Sequence, residues 1–170
     1  NDAIETLARK TGARVHRFEA PAVVESRVTW AALSKESSIV RAAAEAASVQ
    51  AAVVGIGSVG VHASQRVVEA MQLDADETDA FLAQNPVGDI CGYFYDADGQ
   101  LLGPPSSERV IGITPDGLRG IPRVAGIAAG VEKAPGVLGA LRTGILEALI
   151  VDEDLAHAVL RRAQGRADAS

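Results

Sequence analysis

The chain predicts an α/β domain, a three-layer sandwich with a mainly parallel sheet between helices. Three observations carry that expectation. Short apolar, β-branched runs alternate with amphipathic stretches from end to end, the pattern of repeated strand–helix units. One of these runs, AAVVGI at 51–56, feeds directly into a glycine-rich turn and then a helical period. Finally, 170 residues with 48% hydrophobic and 22% charged side chains suit one domain able to bury a sizeable core.

The elements follow in order. Residues 2–11 place Ile4, Leu7 and Ala8 on one helical face, and Gly12 follows as a stop. Arg14 to Phe18 (RVHRF) alternates like a short strand, and Pro21 then interrupts regular structure. Residues 35–48 are Ala-rich and helical, with Ile39, Val40, Ala43, Ala46 and Ala47 near one face. Ala51 to Ile56 reads as a strand buried on both faces. It runs into Gly57-Ser58-Val59-Gly60, and a helical pattern resumes over 62–72. Asp74 to Ala83 suggests another helix, Ile90 to Tyr95 (ICGYFY) a strand, and Asp96-Ala97-Asp98-Gly99 a tight turn, since Asp and Gly accept its dihedrals. Val110 to Ile113 and Arg123 to Ala128 read as strands, and Lys133 to Arg142 as a helix despite Pro135. Glu147 to Val151 is the last strand. Asp152 then caps a final helix that turns Leu155, Ala156, Val159 and Leu160 inward, and the polar stretch from Gln164 to Ser170 is expected to fray.

Composition removes several function classes. A disulfide framework cannot form within the chain, because Cys91 is the only cysteine. No apolar run approaches the ~20 residues of a membrane span, and no signal-peptide pattern opens the chain, so no membrane partner is expected. The net charge of −6 is the wrong sign for a broad nucleic-acid surface. A cytoplasmic, single-domain protein is the expectation. His16, His62 and His157 lie far apart without metal-ligand spacing, and no nucleophile elbow, H-E-x-x-H or P-loop occurs. No catalytic residue, cofactor or metal is therefore expected.

Three segments could carry a ligand. Gly55-Ile56-Gly57-Ser58-Val59-Gly60 is a G-x-G-x-x-G between strand and helix, where backbone amides and a helix N-terminus suit a phosphate. A dinucleotide site would also need an acidic residue about 20 positions on, at a strand end. Asp74 and Asp76 have the spacing but fall in a helical stretch, so a phosphate cradle, a tight structural turn and a dinucleotide loop all stay open. Asp89, just before an apolar strand, could accept hydrogen bonds from ligand hydroxyls or cap a neighbouring amide. Lys133, one of three lysines, follows a strand and could meet an anion or sit in solvent on a first helical turn. Cys91 has no basic neighbour in sequence and reads as a buried structural thiol rather than a nucleophile. Trp30, between Val28 and Ala31-Ala32-Leu33, reads as a packing anchor rather than a sugar platform, and His62, just past the glycine loop, could touch a ligand or face solvent.

The order of these pieces is more specific than any one of them. LARKTGARVHRFEAPAVVES at 7–26, VGDICGYFYDADGQ at 87–100 and the stretch from Glu108 to Leu160 together resemble the effector-binding domain of SorC/DeoR-type bacterial transcriptional regulators. That resemblance implies a Rossmann-like fold, similar to glucosamine-6-phosphate deaminase and ribose-5-phosphate isomerase. It also implies a phosphorylated sugar as effector, homo-oligomer assembly, and DNA contact only through an N-terminal helix-turn-helix domain outside this chain. The family's first strand, with its Gly- and Thr-containing phosphate loop, is expected to precede Asn1. By motif position, Gly55, Gly57 and Ser58 would line the ligand loop, Asp89 would accept from hydroxyls, and Lys133 would meet a phosphate or sugar oxygen. The family commonly carries a different small or polar residue where Val131 follows Gly130. The Ala-rich helix and the last helix are the expected partner surfaces. A sugar-phosphate isomerase or deaminase, with Asp89 as base, is the alternative reading.

Overall fold

A computed structural model describes residues 2–167. A five-stranded sheet has the order β3-β2-β1-β4-β5, where β1 is Ala52–Ser58, β2 Gly88–Ile90, β3 Tyr93–Tyr95, β4 Val124–Ala128 and β5 Ala148–Val151. Strands β1, β4 and β5 run parallel, and β2 and β3 add an antiparallel hairpin at the β1 edge. The helices are α1 (Asp2–Thr11), α2 (Arg27–Leu33), α3 (Ser37–Ala47), α4 (His62–Ala70), α5 (Ala75–Leu82), α6 (Pro115–Arg119), α7 (Ala134–Arg142) and α8 (Glu153–Ala167). The expected α/β class with a parallel core is what the chain forms.

The core lies between the sheet and α7–α8. Val54 and Ile56 of β1 and Val124 and Ala128 of β4 meet Val137, Ala140, Leu155 and Val159. Close approach at this seam depends on glycine. A Cβ on Gly136 of α7 would sit 2.4 Å from the Gly57 carbonyl oxygen, and one on Gly88 would sit 2.8 Å from the Gly136 Cα. Tyr95, fully buried, donates its hydroxyl to the Gly136 carbonyl at 3.0 Å and locks the hairpin to the helix. A second cluster gathers Met71, Phe81, Phe94, Leu102 and Val110, with Phe81 and Phe94 edge to face.

Caps explain several boundaries. Asp74 and Glu77 close a capping box on α5. Asp152 caps α8 through the Leu155 amide at 2.9 Å, and its second oxygen accepts from Gly130 at 2.8 Å, joining the ends of β4 and β5. Pro135 is harmless because it occupies the first turn of α7, where its amide would have no helical partner. The Asp96–Gly99 turn forms as expected, with Gly99 at φ +81°.

Other expectations need correction. Arg14 to Phe18 is not a strand, because among the described residues no neighbouring strand offers it a ladder. The run ICGYFY is two strands, not one, since Cys91 and Gly92 turn at φ 52° and 83°. Val110 makes only an isolated bridge to Val23, so 110–113 is not a strand. Strand β1 is not buried on both faces: Val53 is 71% exposed, and the paired Ile127 and Ile150, two residues further along the same face, lie open too. On α8, Leu155 and Val159 are buried but Leu160 is exposed. Helices α2 and α6 escaped the pattern because both are short. The helix to Ala167 covers part of the stretch expected to fray, and residues 168–170 lie outside the described residues.

Candidate functional site

At the carboxyl ends of the parallel strands, a cavity of about 520 Å³ opens on the face of the sheet away from α7 and α8. Its floor is Gly55, Ile56 and Gly57 of β1. Asp89 of β2 and the Cys91-Gly92 turn form one side, and Lys133 another. Ala22, Val23, Val67, Ile111 and Ile113 supply apolar walls. The wall made by residues 22–23 and 111–113 is held by paired backbone bonds, Val24 to the Arg109 carbonyl at 2.8 Å and Ile111 to the Ala22 carbonyl at 3.0 Å. Trp30 braces it by donating its indole N–H to the Val110 carbonyl at 3.0 Å. The tryptophan is therefore a packing anchor and lines no part of the cavity.

Each sequence-predicted residue has a definite place. Gly55 is exposed at the floor, with no atom near the position of a Cβ. Gly57 lines the floor and has a steric reason to be glycine: a Cβ there would lie 1.9 Å from Asp89 Oδ1 and 2.2 Å from Ser64 Oγ. Ser58 does not join the lining. It is buried, and its hydroxyl lies 3.4 Å from the Val87 carbonyl that accepts from it. His62 begins α4, but its side chain lies outside the described residues. Asp74 and Asp76 belong to the capped first turn of α5 and not to a strand end, so the acidic partner of a dinucleotide loop is not where that reading required it.

Asp89 is buried, yet it lines the cavity. Its Oδ1 accepts from the Ser64 hydroxyl at 2.6 Å and its Oδ2 from the Gly92 amide at 3.2 Å. Burial raises its pKa above the ordinary carboxylate value, opposed by the Ser64 bond, the Gly92 bond and the positive charge of Lys133. Lys133 ends a 3₁₀ turn (Val131–Lys133) after β4 and donates its ammonium to the Ile56 carbonyl at 3.3 Å. That turn starts at Gly130, whose φ of +98° favours glycine. Lys133 is thus folded back over the end of β1, half-buried, and not loose on a helix surface.

Cys91 is exposed, not buried as expected. Its thiol nonetheless faces the cavity wall, and the loss of water there together with the Asp89 carboxylate pushes it up to about 11. A thiol held protonated at neutral pH is a poor nucleophile. Among the described residues no group of three or more His, Cys, Asp or Glu side chains could hold a metal. No helix among them is long and apolar enough to cross a membrane.

Sequence reasoning missed Ser64, Val67 and the two wall segments. Ser64 sits in an ordinary helical stretch, and nothing local to residues 22–23 or 111–113 signals that they meet. The glycine loop, the Gly-Asp pair and the lysine after β4 were each visible as a chemical type at a strand end.

Comparison with known proteins identifies the family. A family model described as "Putative sugar-binding domain" matches residues 1–161. The transcriptional regulator LsrR of Enterobacter sp. (strain 638) is 33% identical over 147 residues, which is 86% of this chain and 46% of that protein. The chain spans about half the length of the curated relatives it matches. Among solved structures, the "putative sugar-binding domain" of a transcriptional repressor from Vibrio fischeri superposes with a TM-score of 0.85 at 31% identity, covering 94% of this chain and 63% of that one. The full-length sorbitol operon regulator SorC from Klebsiella pneumoniae gives 0.81 at 28% identity, covering 94% of this chain and 51% of that one. Fold and likeness thus converge, and the chain belongs to the family of sugar-binding domains of SorC/LsrR/DeoR-type transcriptional regulators.

Proposed function

We propose that this chain is the effector-sensing part of a cytoplasmic bacterial regulator, that its cavity takes a phosphorylated sugar, and that occupancy changes how the whole protein holds its operator. The observation that carries the reading is the convergence of Gly55, Asp89 and Lys133, from three separate segments, on one cavity at the strand ends. A buried carboxylate is a strong acceptor for sugar hydroxyls, and an ammonium beside an open glycine floor suits an anionic oxygen. Gly57 is part of the floor, and the buried Ser58 supports it from behind. DNA contact would come from a segment outside these 170 residues, since the acidic charge of this one does not favour it.

The switch is one of linkage. An effector that favours one assembly or conformation shifts the population by its differential affinity alone, and about 1–3 kcal/mol suffices. Homo-oligomer contacts are assigned to α3, which buries no residue within this chain, and to the outer face of α8, where Leu160 is exposed. Binding without turnover is supported by Asp89 being the one carboxylate lining the cavity among the described residues, with both oxygens already bonded.

Thermal-shift titration with a panel of sugar phosphates tests the proposal. The parent should gain several degrees with at least one of them. The Lys133→Ala variant should melt as the parent does alone and lose most of that gain. Equal stabilisation of both proteins removes Lys133 from the site, and turnover of the sugar phosphate would replace the sensor reading with the enzyme one.

A further inference from the structure

We propose that Ser64 is a positioning residue: through its hydroxyl it orients the Asp89 carboxylate toward the cavity and holds it ready to accept from a ligand hydroxyl. The inference rests on the effector-binding reading of the cavity but has its own test. Ser64 is 1% exposed and is not part of the lining of this cavity, so its reach to a ligand there runs through Asp89. Its hydroxyl donates to Asp89 Oδ1 at 2.6 Å, the shortest side-chain bond to that group. The Gly92 amide holds Oδ2 at 3.2 Å. With one protein donor on each oxygen, a lone pair on each remains for a ligand.

The pair is built into the backbone. The second glycine of the G-x-G-x-x-G run clears the space where the carboxylate and the hydroxyl meet, as any side chain at position 57 would overlap both. No cation neutralises Asp89 directly among the described residues. Lys133, whose charge acts on Asp89, makes no ion pair with it and donates to the Ile56 carbonyl. The other titratable groups around Asp89 are Cys91 and Tyr95, both neutral at physiological pH, because burial and the Asp89 charge itself push them up. A buried carboxylate without an ion pair depends on oriented dipoles to stay ionised, and Ser64 is the stronger of its two.

The test follows the Asp89 carboxyl carbon by NMR across a pH titration of the unliganded 170-residue chain. In Ser64→Ala the Asp89 midpoint should rise by about one pH unit, the scale of one charge-assisted hydrogen bond. In Ser64→Thr, which keeps the hydroxyl, it should return toward the parent. A Ser64→Cys variant keeps the volume with a weak donor and should shift upward too, so loss of folding in the alanine variant does not block the measurement. Sugar-phosphate stabilisation should fail at a higher pH in the shifted variants than in the parent. A role limited to filling space predicts lowered stability with an unmoved Asp89 midpoint, and that result overturns the inference. If the midpoint moves while no sugar phosphate stabilises the parent at any pH, the positioning role stands and the effector reading falls.

Discussion

The first 48 residues and the segment from β4 to α8 share one sequence style but differ in what that style achieves. Both alternate apolar and polar residues at helical or strand spacing. From 124 onward this produces a core: Val124, Ala128, Val137, Ala140, Leu155 and Val159 are all buried. In residues 4–48, Val24 is the sole buried residue, Ile4 and Leu7 stand 58% and 62% exposed, and α2 and α3 bury nothing. The side-chain ties across this stretch are exposed, the Arg17–Glu5 ion pair and the contact of His16 with Glu45, and exposed pairs contribute little. Periodicity states which face an element can bury. It does not supply the surface to bury it against.

The sharpest way to break this comparison is a pair of truncations of the same residue type. Leu155→Ala should cost about 2–5 kcal/mol, because its site in α8 is fully enclosed. Leu7→Ala should change stability by about 0.5 kcal/mol or less. Urea unfolding midpoints decide it, and equal losses would mean that α1 is packed in solution.

A smaller effect is expected at Asp89, in the cavity that both regions help to line, Ala22 and Val23 from the first and Lys133 from the second. Asp89 has its pKa raised by the fold, so its ionised form opposes folding. The stability it withholds at neutral pH is recovered as pH falls through the raised value. Asp89→Asn should therefore leave the unliganded chain at least as stable as the parent at pH 7 while removing sugar-phosphate stabilisation. A less stable variant that still gains from the ligand would reverse the assignment.

The smallest effect concerns Asp152. Bonds from the Leu155 and Gly130 amides hold its carboxyl below the ordinary carboxylate range. Its contribution is present above the unfolded value and is lost as pH falls through the lowered folded one. Asp152→Asn should flatten the acid limb of a stability–pH curve between those two values, modestly because the group is exposed. An unchanged limb would show that the link between β4 and α8 does not depend on this charge.

Much of the site was legible in the sequence because its chemistry stands at chain positions with their own local signature. Gly55, Asp89 and Lys133 each border an apolar run, and the apolar runs became β1, β2 and β4. Ser64 was not legible, since a serine three residues into a helix looks like any other until the carboxylate from 25 positions away arrives beside it. Gly57 was legible as part of the glycine loop, but not its second role: its missing Cβ makes room for Asp89 and Ser64. Cys91 hid a turn, because a positive φ at a residue other than glycine leaves no mark in an apolar run.

By itself the chain's sequence determined the class of fold, the strands of the parallel core, the cap at Asp152, and four residues at the cavity. These are matters of spacing and side-chain type, which act over a few residues. Tertiary structure alone decided that RVHRF would lack a ladder, that Val53 would face outward, and that residues 22–23 and 111–113 would close the cavity beside Asp89. A strand, a wall or an oriented carboxylate needs a partner brought from far along the chain, and that partner is set by packing rather than by local order.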